Sequence, residues 1–208
     1  MSATIQKVVT SGQFALDGGS WDVDNNVWLV GDDAEVIVID APHDSDAILD
    51  AIAGRTVLAI ILTHGHNDHI NAAVELGRAT GAQIWFPPAD RMLWDAEHDT
   101  PPDQELHTGA TFTVAGSTLR AVPTPGHSPG STCLYAEDLG VVFTGDTLFA
   151  GGPGATGRSY SSFETIIESI RERLLRLPGE TIVHTGHGDD TTIGAEAPHL
   201  DEWIARGA

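Results

Sequence analysis

The stretch "THGHNDH" at residues 63 to 69 follows the apolar run "VLAIIL" and packs three histidines and an aspartate into six positions. A short run of β-branched and aliphatic residues has the length and composition of a buried strand. Its polar successors then emerge where that strand ends, on a loop that can turn several side chains toward one point without disturbing the core. In extended backbone, residues two apart face the same side, so His64 and His66 can share one ion. Asp68 and His69 continue round the turn and can serve a second. Neutral imidazole together with carboxylate suits zinc, manganese or iron. Ten histidines make a chance pair easy, but not three plus a carboxylate directly behind an apolar strand.

The same grammar recurs three times. "AVPTPGHSPGS" delivers His127 from a turn rich in Gly and Pro, "VVFTGDTLF" delivers Asp146 just past an apolar strand, and "TIVHTGHGDD" delivers His187 in the same relation to its strand. A metal site needs ligands from separate elements converging on one edge, held by short, stiff loops. This pattern supplies them.

Between these points the chain alternates strand-like and helix-like segments. "IQKVV", "NVWLVG" and "AEVIVIDAP" read as strands, "HDSDAILDAIA" and "NAAVELGRATGA" as helices, and "QIWFPP" as a strand stopped by prolines. The second half runs "TFTVAGSTLRAVPTP", "STCLYAED" and "VVFTGDTLF" as strands. A helix is expected from Ser162 to Leu177, with Ser161 and Glu164 at capping-box spacing, and "APHLDEWIARG" is expected as a terminal helix. Two halves that each run strands then helices suggest two sheets face to face with helices outside, and composition leaves a doubly wound sheet as the alternative. The acidic segment from Asp90 to His107 is expected as a long surface excursion, and residues 1 to 208 as a single domain.

Charge narrows the partners. Thirty acidic residues against ten basic ones give a net charge of −20, which repels phosphate backbones and anionic lipid headgroups. Nucleic acid and membrane partners are therefore disfavoured. No signal-peptide pattern or apolar stretch of spanning length is present, and the single Cys133 cannot form an intrachain disulfide, so a cytoplasmic location is expected. Cys133 itself lies in a strand-like segment and reads as core packing rather than as a nucleophile.

"HGHNDH", "PGHSPG", "FTGDTLF" and "TGHG", in that order, resemble the metal motifs of the metallo-β-lactamase superfamily, and "GDTLF" resembles its glyoxalase II (hydroxyacylglutathione hydrolase) branch. The resemblance spans roughly residues 25 to 190. It implies an α+β fold, the αββα sandwich, with the metals at one edge of the two packed sheets. Carried over by position, His64, His66 and His127 would hold one divalent ion and Asp68, His69 and His187 a second, most simply two Zn²⁺, with Fe or Mn as alternatives. Asp146 would bridge them, and Asp40, ending "VIVID", would orient the histidine loop through hydrogen bonds. Hydroxide formed between the ions would be the nucleophile, with Asp68 accepting a hydrogen bond from the attacking oxygen.

His43, His98, His107 and His199 fall outside this pattern and read as surface or capping residues, and His184 as structural. An aspartate at position 146 is similar to the thioester, lactone and phosphodiester hydrolases of the superfamily rather than to its true lactamases, which generally carry Cys or Ser there. The resemblance thus implies a small-molecule substrate, a thioester of a low-molecular-weight thiol. Arg158, the only cation in the neighbourhood just after "GDTLF", in "AGGPGATGRSY", is the candidate to bind it. Its rival roles are hydrogen bonds to loop carbonyls or a pairing with Glu164. A mono-iron persulfide dioxygenase and a lactone or ester hydrolase are the alternative functions, and a homo-oligomer is left open.

Overall fold

The computed structural model describes residues 3–207. Its first two strands, β1 (Thr4–Leu16) and β2 (Gly19–Gly31), are far longer than "IQKVV" and "NVWLVG" suggest. They pair in register from Thr4 with Gly31 to Leu16 with Gly19. Between them Asp17 and Gly18 both have positive φ, 53° and 76°, the geometry of a tight two-residue hairpin turn. The rest of the hairpin stem is mostly exposed, and its apolar alternation is confined to Phe14 and Leu16 on one strand and Trp21 and Val23 on the other, too short to mark a strand by itself.

The first sheet continues through β3 (Glu35–Ile39), helix α1 (Ser45–Ile52), β4 (Thr56–Ile61), α2 (Asn67–Ile70), α3 (Ala73–Thr80), β5 (Ile84–Phe86), α4 (Arg91–Glu97) and β6 (Gln104–Glu105). Its strand order is β1-β2-β3-β4-β5-β6, parallel from β3 onward. The second half contributes β7 (Thr111–Val114), β8 (Ser117–Pro123), β9 (Thr132–Ala136), β10 (Val141–Gly145), the small pair β11 (Leu148–Phe149) and β12 (Gly152–Pro153), α5 (Phe163–Ser169), β13 (Ile182–Thr185), β14 (Thr191–Thr192), α6 (Ile193–Glu196) and α7 (Leu200–Arg206). The second sheet runs β14-β13-β10-β9-β8-β7.

Strand alternation decides the layering. On β2 and β3, Trp28, Val30, Ile37 and Ile39 point inward and meet Leu119, Ala121, Leu134 and Phe143 of the second sheet. Their neighbours Val27, Leu29, Val36 and Val38 point outward under Ile48, Leu76 and Trp94 of the helices. The second sheet does the same, laying Cys133, Val142 and Val183 against Ile166, Ile167, Ile170 and Trp203. The layers are therefore helix, sheet, sheet, helix. Each fully buried aliphatic contributes about 1.5–3 kcal/mol, so the strand ends project from a stiff frame. Among the described residues no helix is long and apolar enough to cross a membrane.

Three local expectations are corrected. Helix α5 is capped by Ser162, which accepts from the Thr165 amide, while Ser161 donates its hydroxyl to the Arg158 carbonyl. The helix does not run regularly to Leu177. From Ile170 to Leu174 it widens, and the Leu175 amide reaches back five residues to Ile170. The segment from Asp90 to His107 is likewise no simple surface excursion: Asp90 and Trp94 are fully buried, and β6 adds a strand to the sheet.

Candidate metal centre at the sheet edge

Strands β3, β4, β10 and β13 all end at one edge, and so does the loop between β8 and β9. That edge gathers His64, His66, Asp68, His69, His127, Asp146 and His187. His64, His66 and His127 form one group, Asp68, His69 and His187 another, and Asp146 joins His64 and His69.

Four of the five rings are aimed by what their other nitrogen touches, whereas His66 Nε2 is buried without a hydrogen-bond partner. A carbonyl can only accept, so His127 Nδ1 carries the proton it gives to the Ala155 carbonyl (2.8 Å), as His187 Nδ1 does to Asp24 (2.7 Å). Both Nε2 atoms are thereby turned toward the centre. Asp40 does the same for His69, accepting from Nδ1 at 2.9 Å. It also accepts from the Thr63 amide (2.7 Å) and hydroxyl (2.9 Å), so that Thr63 Oγ1 is left to accept from His64 Nδ1 at 3.1 Å. Asp40 sits at a φ of 61°, a left-handed conformation sustained by these bonds. Carboxylate-to-imidazole pairing of this kind fixes the tautomer a metal ligand needs.

The inward nitrogens then crowd together. His66 Nδ1 lies 3.1 Å from His64 Nε2 and 2.9 Å from His127 Nε2, and His187 Nε2 lies 3.2 Å from His69 Nε2. Asp146 reaches both groups, with Oδ1 3.3 Å from His69 and Oδ2 3.5 Å from His127 and 3.4 Å from His187. Four ligands at about 2.0–2.1 Å around zinc have edges near 3.3 Å. Lone pairs facing at such distances repel unless a proton or a metal cation lies between them. Asp68 Oδ1 and Asp146 Oδ1 are, in addition, buried without a hydrogen-bond partner. The donor set fits two divalent ions. Glycine is required at Gly186, where a β-carbon would overlap Asp146 Oδ1.

Electrostatics differ between the groups. Burial, and then the neighbouring rings, hold His64 well below the ordinary histidine range and push His66 down to about 3. Burial also opposes charge on His69 and His187, but Asp146 and Asp68 outweigh it, with Asp40 adding to the effect on His69. His69 is raised well above its ordinary value and His187 to about 10. In the metal-free protein at pH 7 His64 and His66 are therefore ready to ligate, whereas His69 and His187 hold protons where a cation belongs. Loading the second group is expected to release protons, with affinity rising as pH climbs toward 10, while loading of His64 and His66 releases none. Calorimetric titration in two buffers of different ionisation enthalpy measures this, and identical heats for the second ion would contradict it.

A cleft of about 310 Å³ opens over the centre, walled by Phe14, Trp21, Val23, Phe149 and Arg158. The Arg158 guanidinium lies 3.8 Å over the Trp21 ring and 5.3 Å from that of Phe14, rather than on Glu164 or a loop carbonyl. Asn67, between His66 and Asp68, ties the hairpin down by accepting from the Ala15 amide (2.8 Å) and donating to the Gln13 carbonyl (2.9 Å). His184 is packed against Trp28 and Phe143 and paired with Asp190 at 2.9 Å. Cys133 is buried, its thiol pushed up to about 11 by desolvation.

Of the remaining histidines, His107 and His199 are exposed, and His98 ends α4 and reaches the Ile70 carbonyl. His43 is a correction. It is half-buried, 2.9 Å from Asn25, whose amide faces Asp68. Asp90 is a second residue that sequence reasoning missed, bonded to the loops of both His64 and His127. An aspartate ahead of a helix signals only an ordinary cap, so nothing local distinguishes it.

The metallo-β-lactamase superfamily profile matches residues 21–187. GloC of Haemophilus influenzae, a hydroxyacylglutathione hydrolase, is 32% identical over 188 residues, covering 82% of this chain and 89% of that protein. The Bacillus subtilis protein named "Probable metallo-hydrolase YqgX" is 34% identical over 187 residues, covering 83% and 88%. Among solved structures, TTHA1623 in a di-iron-bound form superposes with a TM-score of 0.75 at 32% identity, covering 84% of this chain and 93% of that one.

Proposed function

The chain belongs to the metallo-β-lactamase superfamily of metal-dependent hydrolases, and from that premise we propose that it cleaves thioesters of a small, carboxylate-bearing thiol using two divalent ions, most simply Zn²⁺. The observation that carries this reading is Asp146, placed within 3.5 Å of ligand nitrogens from both groups. Similarity to GloC supports the thioester class.

Two bound ions would supply acidification of a shared water, from about 15.7 toward 7, and polarisation of an acyl carbonyl. The protein's own side chains do the rest. Asp68 Oδ1, buried and unpartnered, accepts a proton from the attacking water. The new bond joins water oxygen to the acyl carbon, the carbon–sulfur bond breaks, and the thiolate takes up a proton as it leaves. Phe14 and Trp21 wall the cleft against bulk water. Arg158, stacked on Trp21 at the rim, holds a carboxylate of the thiol.

Arg158→Ala is expected to raise KM about tenfold with kcat little changed, since it removes binding common to ground and transition states. The test is elemental analysis of purified protein coupled to a panel of S-acyl derivatives of several small thiols, with ester, lactone and β-lactam controls. Two ions per chain with oxygen-independent thioester turnover is the expected result. One iron per chain with oxygen consumption would overturn it in favour of a dioxygenase.

A further inference from the structure

Three side chains outside the metal ligands form a hydrogen-bonded chain whose direction is dictated from one end. The His43 backbone amide, which can only donate, gives its proton to Asn71 Oδ1 at 2.6 Å. That fixes which way the Asn71 amide lies, so its NH₂ is the group 3.3 Å from His43 Nδ1. An NH₂ donates, so Nδ1 accepts and the ring proton sits on Nε2. His43 Nε2 therefore donates to Asn25 Oδ1 at 2.9 Å.

This leaves one orientation for Asn25. Its own NH₂ is turned into the site, 3.1 Å from Asp68 Oδ2 and 3.2 and 3.4 Å from the Nε2 atoms of His69 and His187. Asn25 is fully buried on β2, and the His43 ring is pressed so tightly against β1 that a β-carbon on Gly12 would overlap it. His43 has a φ of 58°, a backbone state that side chains rarely adopt. The bond to Asn71 holds it there.

Asp68 has two oxygens with different surroundings. Oδ2 accepts from Asn25 and lies 3.4 Å from His187, whereas Oδ1 is buried with no partner. We propose that Asn25, aimed by His43 and Asn71, is a positioning residue that pins Asp68 Oδ2 to the second metal group and so reserves Oδ1 as the proton acceptor for the reacting water. The role rests on the hydrolytic reading above and deepens it. Without the Asn25 donor the carboxylate can rotate, and the two oxygens exchange roles.

Asn25→Asp keeps an acceptor for His43 but sets a carboxylate against Asp68. His43→Phe keeps the ring and removes the donor without touching any ligand. Both are expected to lower kcat about 10–100-fold with KM unchanged, as loss of a partner supporting a metal ligand does. Loaded with cadmium-113, both should shift the resonance of the second ion and leave that of the first in place. His43→Gln, which can still donate to Asn25, should restore both readings.

The metal-free protein offers a check that needs neither ion nor substrate: long-range nitrogen–proton correlation should find the His43 proton on Nε2. A proton on Nδ1, or cadmium resonances unmoved in both variants, would overturn the proposal. These readings stand even where no thioester is turned over, so failure of the substrate assignment is separable from failure of this one.

Discussion

Asp146→Ala is expected to lower thioester kcat/KM by about three orders of magnitude and to leave the protein with one bound ion or none. Asp146 approaches His69 through one oxygen and His127 and His187 through the other. Removing it opens both groups at once. It also withdraws a charge that raises His69 and His187, so the second group loses its attraction for a cation as well as a ligand. A loss of about 4 kcal/mol in transition-state stabilisation corresponds to the thousandfold fall. Asp146→Asn, which keeps one oxygen but not the charge, should fall between the two. Elemental analysis with steady-state kinetics decides the matter: two retained ions and kcat/KM within tenfold of the parent would contradict the bridging role.

The seven candidate ligands were legible partly from a local rule and partly from the order of the motifs. An apolar run of strand length ends, and the polar residue just beyond it is a candidate ligand; His64, His127, Asp146 and His187 each obey this without reference to any other part of the chain. The two-sheet arrangement was legible only in part: two halves that each run strands then helices suggest it, whereas continuous apolar runs such as "VIVI" and "VLAIIL" fit a doubly wound sheet equally well.

What was not legible depends on contacts distant in sequence. Asn25 lies 43 positions from Asp68, and His43 lies 18 from Asn25. A lone histidine between a proline and an aspartate gives no hint of either. The stem from Thr10 to Trp21 carries only Phe14, Leu16 and Trp21 as large apolar residues among polar and small ones, and only "DG" marks its turn. On α5 the apolar spacing holds through Leu177, yet the wide turn at Ile170–Leu174 alters the helix without exposing Ile170 or Leu174. Periodicity cannot register such a change. Ser161 and Ser162 are adjacent hydroxyls, and the Glu164 spacing favours the former although Ser162 makes the cap.

The case with the largest structural consequence is Asp90, and Asp90→Ala is expected to lower the melting temperature by about 10 °C while weakening the first ion more than the second. Its Oδ2 accepts from the Gly65 amide at 2.8 Å and the Ser128 hydroxyl at 2.6 Å, and its Oδ1 from the Gly130 amide at 2.6 Å. Gly65 sits between His64 and His66, and Ser128 follows His127, so one buried carboxylate staples together the two loops that supply the first group. Both loops need glycine to come this near: a β-carbon on Gly65 or Gly130 would meet Asp90 atoms at 2.8 or 2.6 Å. Burial raises the Asp90 carboxyl above its ordinary value against the pull of these three donors. Alanine strands all three, and at about 1–3 kcal/mol for each unsatisfied donor, less what an entering water restores, the net loss is roughly 3–5 kcal/mol. For a chain of this size each kcal/mol moves the melting temperature by about 2–4 °C. A loosened loop pair should also cost the first ion about 10–100-fold in affinity, the range typical of lost support around a ligand. Asp90→Asn removes one of the two acceptors and turns an NH₂ toward a donor, so it should recover only part of the stability. Calorimetric melting with competitive chelator titration reads both effects, and a melting temperature within about 2 °C of the parent together with an unchanged ratio of the two affinities would show that these loops hold their geometry without Asp90.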